Sequence, residues 1–197
     1  MYSKSIQKLI EVLAKFPNVG PKAAQRIAFY LLNLPKADIK EILTTIAVAK
    51  NKAKTCSSCF KRFEGEGQFC EICSNQTRNK SLLCVVEKEA DLEKIEETHH
   101  FKGLYFILEH LFTSIEKKQL LEKRVEVLGE IVKKNGVKEV ILGLNHLPES
   151  KTTALFLERK LKPLNLKITH LAIGLAIGTE LEYADSETLE LALDNRR

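Results

Sequence analysis

Two cysteine pairs with the same spacing, Cys56-Ser-Ser-Cys59 and Cys70-Glu-Ile-Cys73, constrain this chain more than anything else in it. A C-x2-C pair lets two thiolates reach one ion from a single tight turn, and two pairs close a tetrahedral site. The ten residues between the pairs include Gly65 and Gly67, slack enough for a knuckle, a loop and a second knuckle. Four sulfurs leave no open coordination position, so the spacing predicts one structural Zn2+ per chain, held by Cys56, Cys59, Cys70 and Cys73. The competing readings are disulfides, in a chain with no other secretory feature, and a redox C-x-x-C, which normally occurs once and near a βαβ pattern.

Around this module the hydrophobic pattern changes period. Ile6, Leu9, Ile10, Leu13 and Phe16 form the stripe of an amphipathic helix that Pro17 stops. The turn Pro17-Asn-Val-Gly-Pro-Lys22 leads into a second helix with Pro21 as its first residue, running to about Leu32. A third helix is expected from Asp38 to about Lys54, burying Ile39, Ile42, Leu43 and Ile46. Beyond the cysteines, short apolar runs alternate with helical patterns. Strands are expected at Leu82–Val86, Gly103–Leu108, Glu139–Leu142 and Lys167–Leu171, and helices at Asp91–Thr98, Glu116–Asn135 and Ser150–Leu161. The long helix should turn Leu120, Leu121, Val125, Leu128, Ile131 and Val132 to one face, with Gly136 as its C-cap. Alternating strands and helices imply a largely parallel sheet covered on both faces.

The formal net charge of +5 is unevenly spread. Residues 1–80 hold 14 Lys+Arg against 6 Asp+Glu, and residues 81–197 hold 17 against 20. Such an excess fits either a polyanion partner or a solvated lysine-rich face. The N-terminal helix–turn–helix likewise reads as a nucleic-acid hairpin or as a plain αα-corner. In the first case the amides of Val19, Gly20 and their neighbours, beside a helix N-terminus, seat a phosphate oxygen, and Lys22 and Arg26 lie on one helix face to neutralise others. Lys52, Lys54 and Lys61 would support them. Asn18 stands where a glycine is common in such turns, and Asn tolerates left-handed dihedrals. No apolar run is long enough to cross a bilayer, and the N-terminus shows no signal-peptide pattern, so an intracellular protein is expected.

The hairpin Val19-Gly-Pro-Lys-Ala-Ala-Gln-Arg-Ile-Ala-Phe29, the knuckle ending Cys70-Glu-Ile-Cys73-Ser-Asn75, the strand Cys84-Val-Val-Glu87 and the tail Gly178-Thr-Glu-Leu-Glu-Tyr183 together resemble the bacterial RecR recombination-mediator family along the whole chain. The resemblance implies an α/β multidomain protein. Its parts would be a helix-hairpin-helix DNA-binding domain (1–53), a four-cysteine zinc finger (54–76), a Toprim domain (77–172) and a Walker-B-like C-terminal segment (173–197). It implies a non-enzymatic, cytoplasmic and nucleoid-associated clamp for recombinational DNA repair that binds single- and double-stranded DNA without sequence specificity. Such proteins act with RecO, in some pathways with RecF, to load RecA on single strands coated by single-strand-binding protein, and assemble as dimers or ring tetramers.

The Toprim segment departs from the pattern of Toprim enzymes, where a glutamate after the first strand and an Asp-x-Asp after a later one hold Mg2+. Glu87 matches the first element; Asn145-His146-Leu147 stands where the second would be. Of the Thr-Val-Glu-Gly-Glu-type stretch of RecR relatives, Leu147-Pro-Glu149-Ser-Lys151 keeps one acid, and Glu109-His110 replaces their Gly-Gly. Glu87 and Glu149 are therefore read as partner-facing or vestigial metal residues. The alternative from another class is a divergent Mg2+-dependent Toprim nickase or primase-like enzyme; a pure protein adaptor is a third. No G-x-x-x-x-G-K-[ST] loop accompanies the Gly178–Asp185 tail, so nucleotide hydrolysis has no phosphate cradle. Cys84 reads as a buried hydrophobe, and His99, His100 and His110 as surface or loop residues, with His146 and His170 at strand ends.

Overall fold

The computed structural model describes residues 2–196 and divides into two compact units, Met1–Ala53 and Lys54–Arg197. In the first, α1 (Lys4–Leu13) and α2 (Pro21–Asn33) pack through Leu13, Ala24 and Ala28, with Leu9, Ile10, Val19, Ile27 and Leu31 around them. Two alanines at the crossing let the helices approach closely. α1 ends one turn earlier than its stripe suggests: Lys15 and Phe16 tighten into three-residue turns on Val12 and Leu13, and Phe16 is left exposed. Asn18 adopts φ 62°, the left-handed conformation the turn requires.

α3 (Lys36–Lys52) corrects the sequence expectation, because none of its residues is buried. Leu43 and Ile46 are 62% and 61% exposed. Leu34 and Pro35 alone join α2 to α3. Leu9, Leu31, Leu34, Ile39, Ile42 and Leu43 line an open apolar groove of about 380 Å3.

The second unit is built on four parallel strands: β3 (Asn79–Val86), β4 (Gly103–Ile107), β5 (Glu139–Gly143) and β6 (Lys167–His170), in the order β4-β3-β5-β6. Alternation along β3 sends its side chains to two cores. Leu83 and Val85 join Phe106, Val140 and Leu142 under α6 (Ile115–Asn135) and α7 (Pro148–Leu161), where Leu121, Val125, Leu128 and Leu157 seal them. Cys84 and Val86 face the other way, into a core with Tyr105, Ile107, Leu92 of α5 (Glu89–Glu96) and the four paired cysteines. The cysteine module is thus part of one face of the sheet.

α6 ends at Gly136, whose φ of 64° makes it the left-handed cap expected there. Leu120, expected on its buried face, is 46% exposed. After β6 the chain runs without regular structure to a 3-10 turn at Leu181–Tyr183 and to α8 (Ser186–Asp194). Asp185 caps α8 by accepting from the backbone N–H and hydroxyl of Thr188 at 2.9 and 2.7 Å.

Candidate metal centre and nucleic-acid interface

The ligating atoms of Cys56, Cys59, Cys70 and Cys73 all lie within 4.8 Å of one another. Four thiolates each about 2.3 Å from one ion stand roughly 3.8 Å apart, so the sulfurs are spaced as a tetrahedral centre demands. Local structure fixes the first pair through β1 (Lys54–Thr55) and β2 (Arg62–Phe63), a two-stranded ribbon the sequence did not announce. Cys56 N–H donates to the Lys61 carbonyl at 2.8 Å and Phe60 N–H to the Cys56 carbonyl at 3.0 Å. The second pair opens α4 (Glu71–Ser74), with Cys70 as N-cap. Backbone N–H groups of Cys70 and Lys61 point at Cys56 Sγ (3.4 Å) and Cys59 Sγ (3.5 Å), as donors that stabilise thiolates. Hydrogen bonds from Cys59, Cys70 and Cys73 hold the Cys56 thiol far below its usual pKa. The same sulfurs, Cys56 foremost, together with burial, push Cys59 far above its own. Sulfurs this crowded cannot all be thiolates unless a cation joins them, and three of the four cysteines are buried. The donor set fits a structural thiolate-bound metal.

Phe60, directly after Cys59, holds φ 67°, a conformation costing a non-glycine residue about 1–2 kcal/mol. Its ring accounts for the retention: it packs edge-on against Phe106 at 5.3 Å, under the Arg124 guanidinium at 3.6 Å. Arg124 in turn pairs with Glu109, itself at φ 66° where the family resemblance has glycine, and Arg62 of β2 reaches the same carboxylate at 3.6 Å. Arg78, following the second knuckle, pairs with Glu96 and donates to the carbonyls of Phe101 (3.4 Å) and Gly103 (3.2 Å). These charges tie the cysteine module to α5, β4 and α6.

Glu87 lies at the carboxyl end of β3, where open α/β sheets place their ligands. Both of its oxygens are occupied: Oε1 accepts from the Asn145 backbone N–H at 2.8 Å, and Oε2 from the Asn145 side-chain amide at 2.6 Å. Asn145 is the residue that stands for the first aspartate of the enzymes' pair. It holds Glu87 in a two-point hydrogen-bonded pair, a partnership sequence reasoning missed. Glu149 sits apart from Glu87's hydrogen bonds, exposed in the first turn of α7. His170 Nε2 lies 2.8 Å from Glu158, and His146 is exposed.

Of the residues expected to meet DNA, Lys22 and Arg26 are exposed one turn apart on α2 and, among the described residues, form no ion pair. The first bond of α2 runs from Ala24 N–H to the Gly20 carbonyl at 2.9 Å, which leaves the N–H groups of Lys22 and Ala23 facing outward. Val19 N–H donates to the Phe16 carbonyl at 3.1 Å, and Pro21 has no N–H, so the amides left for an anion are those of Gly20, Lys22 and Ala23. Lys52 is exposed in the last turn of α3; Lys54 is exposed and donates to the Gly65 carbonyl at 2.8 Å. Lys61 is differently placed. Its ammonium pairs with Glu71 and, at 3.0 Å, with Glu93, and only 12% of its side chain is exposed. Burial disfavours its charge, but the two carboxylates outweigh that and hold its pKa above the usual lysine value.

A helix-hairpin-helix bundle, a four-thiol metal knuckle and a parallel Toprim sheet without the acid pair define a class of modular Toprim proteins. Models of the families described as RecR, helix-hairpin-helix (residues 6–50), Toprim domain (81–172) and RecR, C-terminal (174–197) match the chain. Curated relatives named Recombination protein RecR include those of Desulforudis audaxviator (38% identical over 100% of this chain and 98% of that protein) and Pelotomaculum thermopropionicum (39%, 100% and 97%). The protein of that name from Clostridium perfringens is 38% identical over 99% of this chain and 97% of its own length. The chain belongs to the RecR family.

Proposed function

We propose that this protein is a non-enzymatic DNA-binding mediator of recombinational repair. The observation that carries the reading is the start of α2, where three unpaired backbone N–H groups lie beside two exposed cations, Lys22 and Arg26. Such a site grips phosphate and carries no base information. We assign it four domains, 1–53, 54–76, 77–172 and 173–197. The metal is one structural Zn2+ per chain, favoured because four thiolates suit a soft, tetrahedral, redox-inert ion.

Family membership supports action with RecO, and with RecF where present, to load RecA onto single strands in the bacterial cytoplasm, at the nucleoid. One hairpin grips weakly, so useful affinity needs several in one assembly. The uncovered apolar face of α3 supports a dimer or ring tetramer. The Glu87–Asn145 pair argues against a Mg2+-dependent nickase or primase, since a lone carboxylate with an amide where the enzymes have an acid supplies too few anionic ligands for a two-metal clamp.

Binding of duplex and single-stranded DNA across a salt series, with and without RecO, tests the reading. The double variant Lys22→Ala/Arg26→Ala should weaken binding alike for all sequences and lower the log–log salt slope by roughly 1.4 to 1.8. Wild-type affinity at every salt concentration would reduce the hairpin to a packing element. Elemental analysis should find one zinc per chain.

A further inference from the structure

Beside the cysteine module lies a groove of about 420 Å3 that the hairpin chemistry leaves unused. Its floor is apolar, from Leu104 and Ile131; its polar lining includes Ser58, Lys80 and Lys134, and Phe69 forms part of its wall. Among the described residues no carboxylate lines it, and neither lysine is in an ion pair. Phe69 is 46% exposed and, among the described residues, is the one exposed phenylalanine of the second unit.

The backbone that carries the ring is held by its neighbours. The Gln68 carbonyl accepts from Ser57 N–H at 2.9 Å, and Cys70 N–H donates to Cys56 Sγ at 3.4 Å, so the backbone on both sides of Phe69 is tied to the first knuckle. A half-exposed phenylalanine on a tethered backbone, with two exposed lysines outside any ion pair (Lys80 Nζ lies 3.4 Å from Gln76 Oε1) and no carboxylate in the lining, has the chemistry of a base-stacking platform. A duplex keeps its bases stacked on one another and offers such a ring nothing; an unpaired strand offers both a base and its phosphates.

We propose that this groove binds one unstacked base of a single DNA strand on Phe69, with the flanking phosphates on Lys80 and Lys134. The inference rests on the DNA-binding reading and adds strand discrimination to it: the hairpin grips any phosphate backbone, and the groove favours single strands.

The chain contains no tryptophan, so Phe69→Trp places a lone fluorophore on the platform. Adding oligo-dT should quench its emission saturably, in step with binding followed by anisotropy of labelled DNA. Phe69→Ala should weaken oligo-dT binding about 5- to 100-fold while duplex affinity changes less than about 2-fold, and Phe69→Tyr should restore it. Lys80→Ala/Lys134→Ala should lower the single-strand salt slope by roughly 1.4. Metal content and thermal unfolding matching wild type would show that the variants are folded, and the tryptophan readout stands even if the alanine variant is not. Oligo-dT that binds without quenching, or that binds Phe69→Ala as tightly as wild type, overturns the proposal and makes the groove a protein contact, leaving the hairpin reading intact. Lys22→Ala/Arg26→Ala run in parallel on duplex DNA reports the hairpin separately. A wild-type protein that binds neither DNA removes both.

Discussion

The cysteine knuckles and the carboxyl end of the parallel sheet are two clusters of potential metal donors in one compact unit, and they have opposite fates. In the knuckles four sulfurs converge with backbone N–H groups aimed at two of them, and the cluster is complete only when a cation neutralises it. At the sheet end the single carboxylate of Glu87 is held by the backbone N–H and the side-chain amide of Asn145. Four converging sulfurs call for a cation, whereas one carboxylate paired with one amide does not assemble a comparable ligand set.

The largest break in this comparison should come from Cys56→Ser/Cys59→Ser. Removing two ligands should abolish metal binding and lower the unfolding midpoint of the second unit by roughly 10 °C or more, measured by calorimetry, with hydrogen exchange rising first in residues 54–76. An unchanged midpoint would mean that the fold does not depend on the centre.

Arg78→Ala should come next, at about 2–4 kcal/mol, because it leaves the Glu96 carboxylate partly buried and unpaired. Burial works to raise the Glu96 pKa, but Arg78, with smaller help from Tyr105 and Lys102, outweighs it and holds the value below its ordinary 4.5. A depressed carboxylate contributes stability above its unfolded pKa and loses it as pH falls through the folded one. Denaturant titrations from pH 6 down should therefore show a wild-type loss below about pH 4.5 that is smaller in the variant.

Asn145→Asp sharpens the contrast from the other side. Two carboxylates would then meet where an amide and a carboxylate now bond, costing about 1–3 kcal/mol at neutral pH. Because one of the pair is forced to hold a proton, lowering the pH should restore stability, and millimolar Mn2+ should do the same by thermal shift. A variant indifferent to both would show that the sheet end lacks the geometry of a cation seat altogether. The smallest effect is expected for Glu149→Gln, at most about 0.5 kcal/mol, the worth of a carboxylate in an exposed first turn of a helix.

What the sequence disclosed follows the range of the interactions involved. The knuckle spacing, the Gly136 cap and the alternating strands are local patterns, and each was readable from a few neighbouring residues. Asn18 was also legible, since its left-handed turn is a local demand. The Glu87–Asn145 pair joins residues 58 positions apart, and no periodicity marks it. The same holds for Lys61, which looked like one more cation in a basic segment until Glu93, on α5, came within 3.0 Å of it. The buried face expected of α3 failed for a different reason. An amphipathic stripe says which face seeks cover, but not whether the cover lies within the same chain.

Ile107 N–H, on β4, donates to the Cys59 carbonyl at 3.0 Å, and β4 is an outer strand of the sheet. Unpaired strand borders invite other chains to add to them. The first knuckle therefore shields the sheet's flank. Loosening the first knuckle by removing its metal would free that Ile107 N–H and bare this border of β4 to another strand.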